Sequence, residues 1–156
     1  YTQSNTLWKY ERNAKTSIAK NTKRSMSMEA IMNNSILDDI KKLLGIPLDD
    51  PSFDQDIIIH INSVFMILQQ LGIGPEEGYS ISSKDNVWSE FIDKPHKYEM
   101  VKSYIYLKVR LMFDPPQIGS LIDSTKQLIA ELEWRLNHIY EIDNITNERI
   151  GHERTT

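Results

Sequence analysis

A chain of 156 residues, 40% of them hydrophobic, can form one compact domain with a buried core, and this composition excludes a wholly disordered protein. The absence of cysteine excludes disulfides, thiolate metal sites and a cysteine nucleophile. The net charge is −4, but residues 1–31 carry six basic and two acidic side chains, so this part is at +4 and the rest of the chain is at −8.

The first 34 residues are a basic arm rich in Asn, Ser and Thr, without Gly or Pro. Helical spacing relates four of its apolar residues, Leu7, Tyr10, Ala14 and Ile18. This spacing indicates a marginal helix that orders on a partner. The sequence therefore predicts three parts: a basic N-terminal arm at 1–34, a helical domain at 35–139 and a C-terminal tail at 140–156.

A helix-capping pattern begins at Ser35. With Asp38 three residues later, Ser35 forms a capping box ahead of an apolar run. Gly45 suits the left-handed residue that commonly ends a helix. The sequence therefore predicts a first helix over 36–44.

A second helix is predicted to run to Leu71, with Ser52 or Asp54 as its cap and Gly72 as its stop. Three- and four-residue spacing relates its apolar side chains, Ile57, Ile58, Ile61, Val64, Phe65, Leu68 and Leu71. This pattern is typical of a central core helix. The stretch is interrupted by His60 and is shorter than the roughly 20 apolar residues that a membrane span needs, so no membrane partner is expected.

The segment 72–97 contains three glycines, two prolines and a short alternation around Tyr79 and Ile81, which favours a long loop or a small hairpin. A short helical turn within it carries Trp88 and Phe91. Loops of this length in compact domains are usually functional or disordered, and aromatic residues favour order. Trp88 and Phe91 therefore either anchor the loop to the core or contact a partner, and the sequence leaves both alternatives open.

A third helix is predicted over 98–113 from its broad apolar surface. The sequence Asp114-Pro115-Pro116 ends it, because proline disfavours helical geometry in the preceding residue and has no backbone N–H to donate. These three residues predict a rigid turn that reverses the chain.

Beyond the turn, Ser120 with Asp123 can cap a fourth helix, predicted to end near Ile139. Its apolar residues form a seam like that of a coiled coil, Ile122, Thr125, Ile129, Leu132, Leu136 and Ile139. The predicted fold class is all-α: a small bundle of about four helices, with a long loop or small hairpin between helices two and three and extended N- and C-terminal segments.

Chemical motifs are missing from this sequence. The histidines are scattered without metal-ligand spacing, at His60, His96, His138 and His152. Acidic pairs such as Asp38-Asp39 and Asp49-Asp50 lie at helix starts and turns, where capping explains them without catalysis. We therefore predict no catalytic residue, no metal site and no cofactor, and interpret the protein as a non-enzyme.

Four blocks of sequence resemble the head–tail connector, or adaptor, proteins of long-tailed bacteriophages: INSVFMILQQLGIGPEEGYSI, VWSEFI, MVKSYIYLKVRLMFDPP and LIAELEWRLN. The resemblance covers about 35–137 and is most specific over 104–116. The arm before Met32 departs from the family pattern, in which the chain begins close to helix one. The resemblance implies non-enzymatic subunits, assembled in the host cytoplasm into a ring at the neck of the virion.

The partners that this resemblance implies are other copies in a homo-oligomeric ring (a dodecamer matching the portal), the portal protein and a stopper or tail-completion protein. Genomic DNA would pass through the lumen without sequence-specific binding, and an acidic body suits this because phosphate affinity comes from Lys and Arg. In such a ring the rigid turn would leave Trp134 and Arg135 available to an adjacent copy. A buried Trp134 is the alternative.

The tail at 140–156 is polar and of mixed charge, and it cannot bury enough surface to fold alone. In the family this region reaches the portal. The residues expected to dock there are Ile142, Ile145, Arg149, Ile150 and Arg154.

Two other classes of function stay open. A helical nucleic-acid-binding module would use the basic arm as its anchor and Lys102, Lys108 and Arg110 of helix three as its reader. Those cations lie among apolar positions, and no helix-turn-helix spacing is evident. A helical scaffold or chaperone unrelated to virions would differ from the connector in not forming a closed ring.

Overall fold

The computed structural model describes residues 16–20, 22 and 26–153. Their regular elements are helical, apart from an isolated bridge between Ser35 and Val87. After residue 35 the chain forms α1 (Ile36–Leu44), α2 (Asp54–Gln70), α3 (Trp88–Phe91), a 3₁₀ turn (Pro95–Lys97), α4 (Tyr98–Phe113) and α5 (Gly119–Glu153). Residues 16–20 and 26–32 are also helical. The predicted all-α class is confirmed.

Helix α1 has the bounds that its capping residues predict. The Ser35 hydroxyl accepts the N–H of Asp38 at 3.2 Å. At the other end Gly45 has a φ of 78°, and the N–H of Ile46 donates to the carbonyl of Lys41 at 2.9 Å. Both ends of the helix therefore have their backbone groups satisfied.

Helix α4 is the centre of the subunit and packs against α1, α2 and α5, while α2 and α5 make few direct contacts among the described residues. The Phe113 ring lies 5.5 Å from Phe53 and 6.5 Å from His60, at the α2 side. The Tyr104 hydroxyl donates to Glu133 of α5 at 3.2 Å. Because Tyr104 and Phe113 are about 180° apart around the helix, α2 and α5 contact different faces of α4.

Of the two alternatives predicted for 72–97, the structure has the long loop and not the hairpin, because the described segment contains no strand. The side chain of Asn62 on α2 takes the place of a neighbouring strand. Its Oδ1 accepts the N–H of Ile81 at 2.8 Å, and its Nδ2 donates to the Ile81 carbonyl at 3.0 Å. This segment is therefore a loop held by a side-chain amide.

The predicted caps of the second and fourth helices are also wrong. Phe53 precedes α2 and makes no capping bond through its side chain. Ser120 lies inside α5, which begins at Gly119, and its carbonyl accepts the hydroxyl of Ser124 at 2.9 Å.

The fourth helix does not end near Ile139 but continues to Glu153, so residues 140–153 are not an extended segment. No proline follows in this stretch and its first glycine is Gly151, so no strong local signal stops the helix. The prediction of an extended C-terminal tail is therefore wrong, because the described backbone of the tail continues the helix that packs against the body.

The end of the basic arm also joins the body. Met32 is buried, and the carbonyl of Asn34 accepts the N–H of Trp88 at 3.3 Å. Ile18, in the helical stretch 16–20, is exposed. The other residues of the predicted arm helix, Leu7, Tyr10 and Ala14, lie outside the described residues.

Candidate subunit and partner interfaces

The Asp114-Pro115-Pro116 turn connects the two helices that position the candidate interface. The backbone N–H of Asp114 donates to the Arg110 carbonyl at 2.9 Å and closes α4. The two prolines then fix two successive φ angles, and α5 begins at Gly119. The short connection makes α5 return along α4.

Helix α5 has an apolar inner face and an outer face with large exposed apolar side chains. Ile129 and Leu136 are buried against the body. Trp134 points outward with 66% of its surface exposed, and its ring stacks on that of His138 at 5.5 Å with an interplanar angle of 7°. The alternative that Trp134 is buried is therefore wrong for the subunit, in which this side chain is exposed.

The charged groups beside this stack pair along the helix. Arg135 Nη2 lies 2.6 Å from Glu131 Oε1, and His138 Nδ1 lies 4.0 Å from Glu141 Oε2. Exposed pairs of this kind add little stability. The charges of Arg135 and Glu131 offset each other, so this part of the surface beside Trp134 can meet an uncharged partner surface at a low electrostatic cost.

Of the two alternatives for Trp88 and Phe91, the subunit has the one in which they anchor the loop to the core. Trp88 is fully buried, and its Nε1 donates to Asp39 Oδ2 at 3.0 Å. The Phe91 ring is also buried and lies 4.4 Å from the ring of Phe65. Both rings anchor the long loop, because their apolar surface is buried inside the bundle.

Sequence reasoning missed the role of Asp39. Its carboxylate is buried and accepts hydrogen bonds from Trp88, from the Tyr98 hydroxyl at 3.1 Å and from Lys102 Nζ at 3.0 Å. Burial alone would raise the pKa of Asp39, but the bond and charge of Lys102, with the other two bonds, lower it below its usual value. Asp39 is next to the buried Ile40, and this placement on the inner face was the available signal.

A family comparison decides what kind of protein carries this arrangement. Residues 36–143, more than half of the chain, match the model of a family described as Phage connector protein. The chain belongs to the phage connector protein family. No curated protein and no solved structure matches it.

Family membership confirms the resemblance to head–tail connectors and identifies a structural component of the virion. The matched span begins with α1 and includes most of α5, so the α4–α5 turn and Trp134 lie within the connector domain. The family is structural, not enzymatic. Among the described residues of this connector, no group of three or more His, Asp or Glu side chains could hold a metal ion.

The cations that a nucleic-acid reader would use are engaged inside the connector subunit. Lys102 is bonded to Asp39, and Lys108 Nζ lies 5.5 Å from the centre of the Tyr104 ring. Arg110 Nη1 donates to the Tyr106 hydroxyl at 2.8 Å. All three are only partly exposed on the central helix, and this arrangement does not favour the nucleic-acid-binding alternative.

The structure describes two of the five expected portal-docking side chains. Ile142 is 50% exposed and Ile145 is 52% exposed, both on the outer part of α5. The side chains of Arg149, Ile150 and Arg154 lie outside the described residues. Within the described part of the connector, no helix is both long and apolar enough to span a membrane.

Proposed function

We propose that this connector assembles into a homo-oligomeric ring at the neck of the virion, a dodecamer matching the portal. The ring joins the portal protein to a stopper or tail-completion protein and continues the DNA channel. The observation that carries this proposal is the outward position of Trp134 on α5, with 66% of its surface exposed. A tryptophan this exposed is a candidate for a protein-binding surface, because tryptophan is enriched among the residues that dominate binding energy at interfaces.

A ring requires two different surfaces on each subunit, because head-to-tail contacts are heterologous. The packing of α2 and α5 against different faces of α4 supports such contacts. The turn at 114–116 supports them too, since it holds α5 along the body with its Trp134 side outward.

The charge distribution supports passage of DNA through the ring. The chain after residue 31 carries a net charge of −8. Affinity for DNA comes mainly from Lys and Arg that neutralise phosphates, so an acidic lumen wall would let DNA slide without binding.

The distal part of α5 is the segment proposed to reach the portal. It continues from Tyr140 to Glu153 and carries Ile142 and Ile145 on its exposed side. A segment that is already helical loses less conformational entropy on docking than an extended tail would lose. The helical continuation therefore supports portal docking better than a mobile tail does.

Mass photometry of the purified protein and negative-stain microscopy of portal-bearing heads test the proposal. We expect a closed ring of uniform mass on the portal. A monomer that fails to associate with portal-bearing heads would contradict it. A duplex-binding assay on the same sample, with the salt concentration varied, tests the nucleic-acid-binding alternative, for which binding should weaken steeply with salt.

A further inference from the structure

The solvent side of α2 carries no charge beyond its first turn, in which Asp56 is exposed. Residues 57–75 contain no Asp, Glu, Lys or Arg, in a chain that is 26% charged. A helix face that is exposed to water normally carries charged side chains. Depletion of charge is, in contrast, a property of protein–protein interfaces.

Two large apolar side chains lie at the centre of this uncharged face. The core side of α2 is fully buried at Ile57, Ile61 and Leu68, whereas Ile59 is 60% exposed and Met66 is 66% exposed. Ile59 and Met66 are seven residues apart, which places them on one side of the helix and about 10 Å apart along its axis. The exposed polar side chains around them are neutral at Gln55, Ser63 and Gln70, and Asp56 borders Ile59 at the start of the helix.

The outer face of α5 has the complementary character. Its flat Trp134–His138 stack supplies apolar area, and the neighbouring Arg135 and Glu131 are paired with each other. An uncharged surface can cover this stack without leaving either charge without its partner. The two faces belong to different helices, each packed against α4 with few direct contacts between them, so each subunit can offer one to each neighbour.

We propose that the outer face of α2, centred on Ile59 and Met66, binds the Trp134–His138 stack of α5 from a second copy of this chain. The inference rests on the proposed ring and names the two surfaces that build it. Each copy uses α2 toward one neighbour and α5 toward the other. The contact is heterologous, so it repeats from subunit to subunit until the rotation closes the ring.

Cysteine cross-linking tests this pairing without background, because the chain has no cysteine. Met66→Cys and His138→Cys proteins are mixed and treated with a short bismaleimide. We expect the mixed pair to cross-link about tenfold more than a mixture of Met66→Cys with Lys84→Cys, since contact raises the local thiol concentration to the millimolar range. Lys84 is an exposed loop residue that belongs to neither face. The double variant Met66→Cys/His138→Cys should give a ladder of covalent oligomers.

Each other outcome overturns the pairing. Cross-links of Met66→Cys only with itself would indicate an isologous contact, and rings of full mass without the mixed cross-link would place the interface elsewhere while the proposed function stands. Absence of any ring, shown by mass photometry of the unmodified protein and of portal-bearing heads, would overturn both. Ile59→Cys replaces Met66→Cys if circular dichroism shows that the latter does not fold.

Discussion

The carboxylate of Asp39 and the ammonium of Lys102 lie 3.0 Å apart inside the subunit, and this pair joins the first helix to the central one. Trp88 Nε1 and the Tyr98 hydroxyl donate to the same carboxylate oxygen at 3.0 Å and 3.1 Å. One buried acceptor thus connects α1, α3 and α4. Its hydrogen bonds fix the long loop to the bundle that carries the candidate interfaces.

Replacing Asp39 by alanine should lower the free energy of unfolding by about 3 kcal/mol, because three donors lose their acceptor and the charge of Lys102 loses its partner. Urea denaturation followed by circular dichroism measures this change. Asp49→Ala, at an exposed position, is the matched control and should stay within about 0.5 kcal/mol of the parent. Equal losses in both variants would contradict the role given to Asp39.

The same pair should make stability depend on pH at the acid end. The pKa of Asp39 is lower in the folded protein than its usual value, because the contacts with Lys102, Trp88 and Tyr98 outweigh the effect of burial. Its contribution is therefore fully present above about pH 4 and is lost as the pH falls through the folded pKa. Asp39→Asn should unfold at a lower urea concentration at pH 7 and lose less of its stability on acidification. If the stability of the parent and of Asp39→Asn falls in parallel as the pH is lowered, the titration of Asp39 does not contribute.

Gly72 and Gly45 allow a comparison between two left-handed glycines. Their φ angles are 75° and 78°, but a Cβ on Gly72 would collide with the Tyr140 ring, whereas a Cβ on Gly45 would meet nothing within 4 Å. Gly45→Ala should cost about 1 kcal/mol from backbone strain alone. We expect Gly72→Ala to cost about 1–2 kcal/mol more, from overpacking.

A double-mutant cycle with Tyr140→Ala separates the two contributions in thermal or urea unfolding. In that background Gly72→Ala should cost no more than Gly45→Ala, since the collision is removed. If the excess persists, the close approach of Tyr140 does not limit the packing of α5.

Local signals account for what the sequence predicted well. Ser35 and Gly45 bound α1, and the prolines at 115 and 116 end α4, because the residues that stop these helices are adjacent to them. Asp39 was interpreted as a capping residue because the same spacing fits a helix start, and its donors lie 49 to 63 residues away along the chain. Such long-range partners leave no local pattern.

The sequence predicted one part of the candidate interface and left the other part open. Trp134 could be placed outside the seam of α5, whereas the uncharged run 57–75 fits a core helix as well as an interface helix. Only the packing of α2 against α4 separates the buried residues of this run from Ile59 and Met66. The sequence left loop and hairpin open at Ile81 for a related reason: the partner of Ile81 is an amide on a distant helix.

Replacing the Asp114-Pro115-Pro116 turn by three glycines should reduce ring formation before it reduces helicity. Glycine removes the restriction on φ, so α5 would sample more angles relative to α4 while both helices persist. Mass photometry gives the ring fraction, and far-ultraviolet circular dichroism gives the helix content. Glycines at the exposed loop residues Glu76 and Glu77 are the control and should leave both unchanged. A sharp loss of helicity, with unchanged assembly of the protein that remains folded, would make the turn a folding element only.

The portal contact is best tested by substitution in the distal part of α5. Truncation at Tyr140 would also remove a contact with Gly72 of the body. The double variant Ile142→Glu/Ile145→Glu keeps that contact and places two charges where apolar surface is proposed to be buried. Ser120→Glu/Ser124→Glu adds the same charge to exposed positions at the other end of the helix.

Binding to portal-bearing heads, measured by co-sedimentation at physiological salt, should fall about tenfold or more for the isoleucine variant and stay unchanged for the serine variant. Both proteins should keep the parent's helix content, because these four positions are exposed on α5. A loss that is equal in both would indicate an effect of net charge rather than of apolar docking. Undiminished binding of the isoleucine variant would place the portal contact elsewhere, and the basic arm or the loop at 72–97 would then be the segment to substitute.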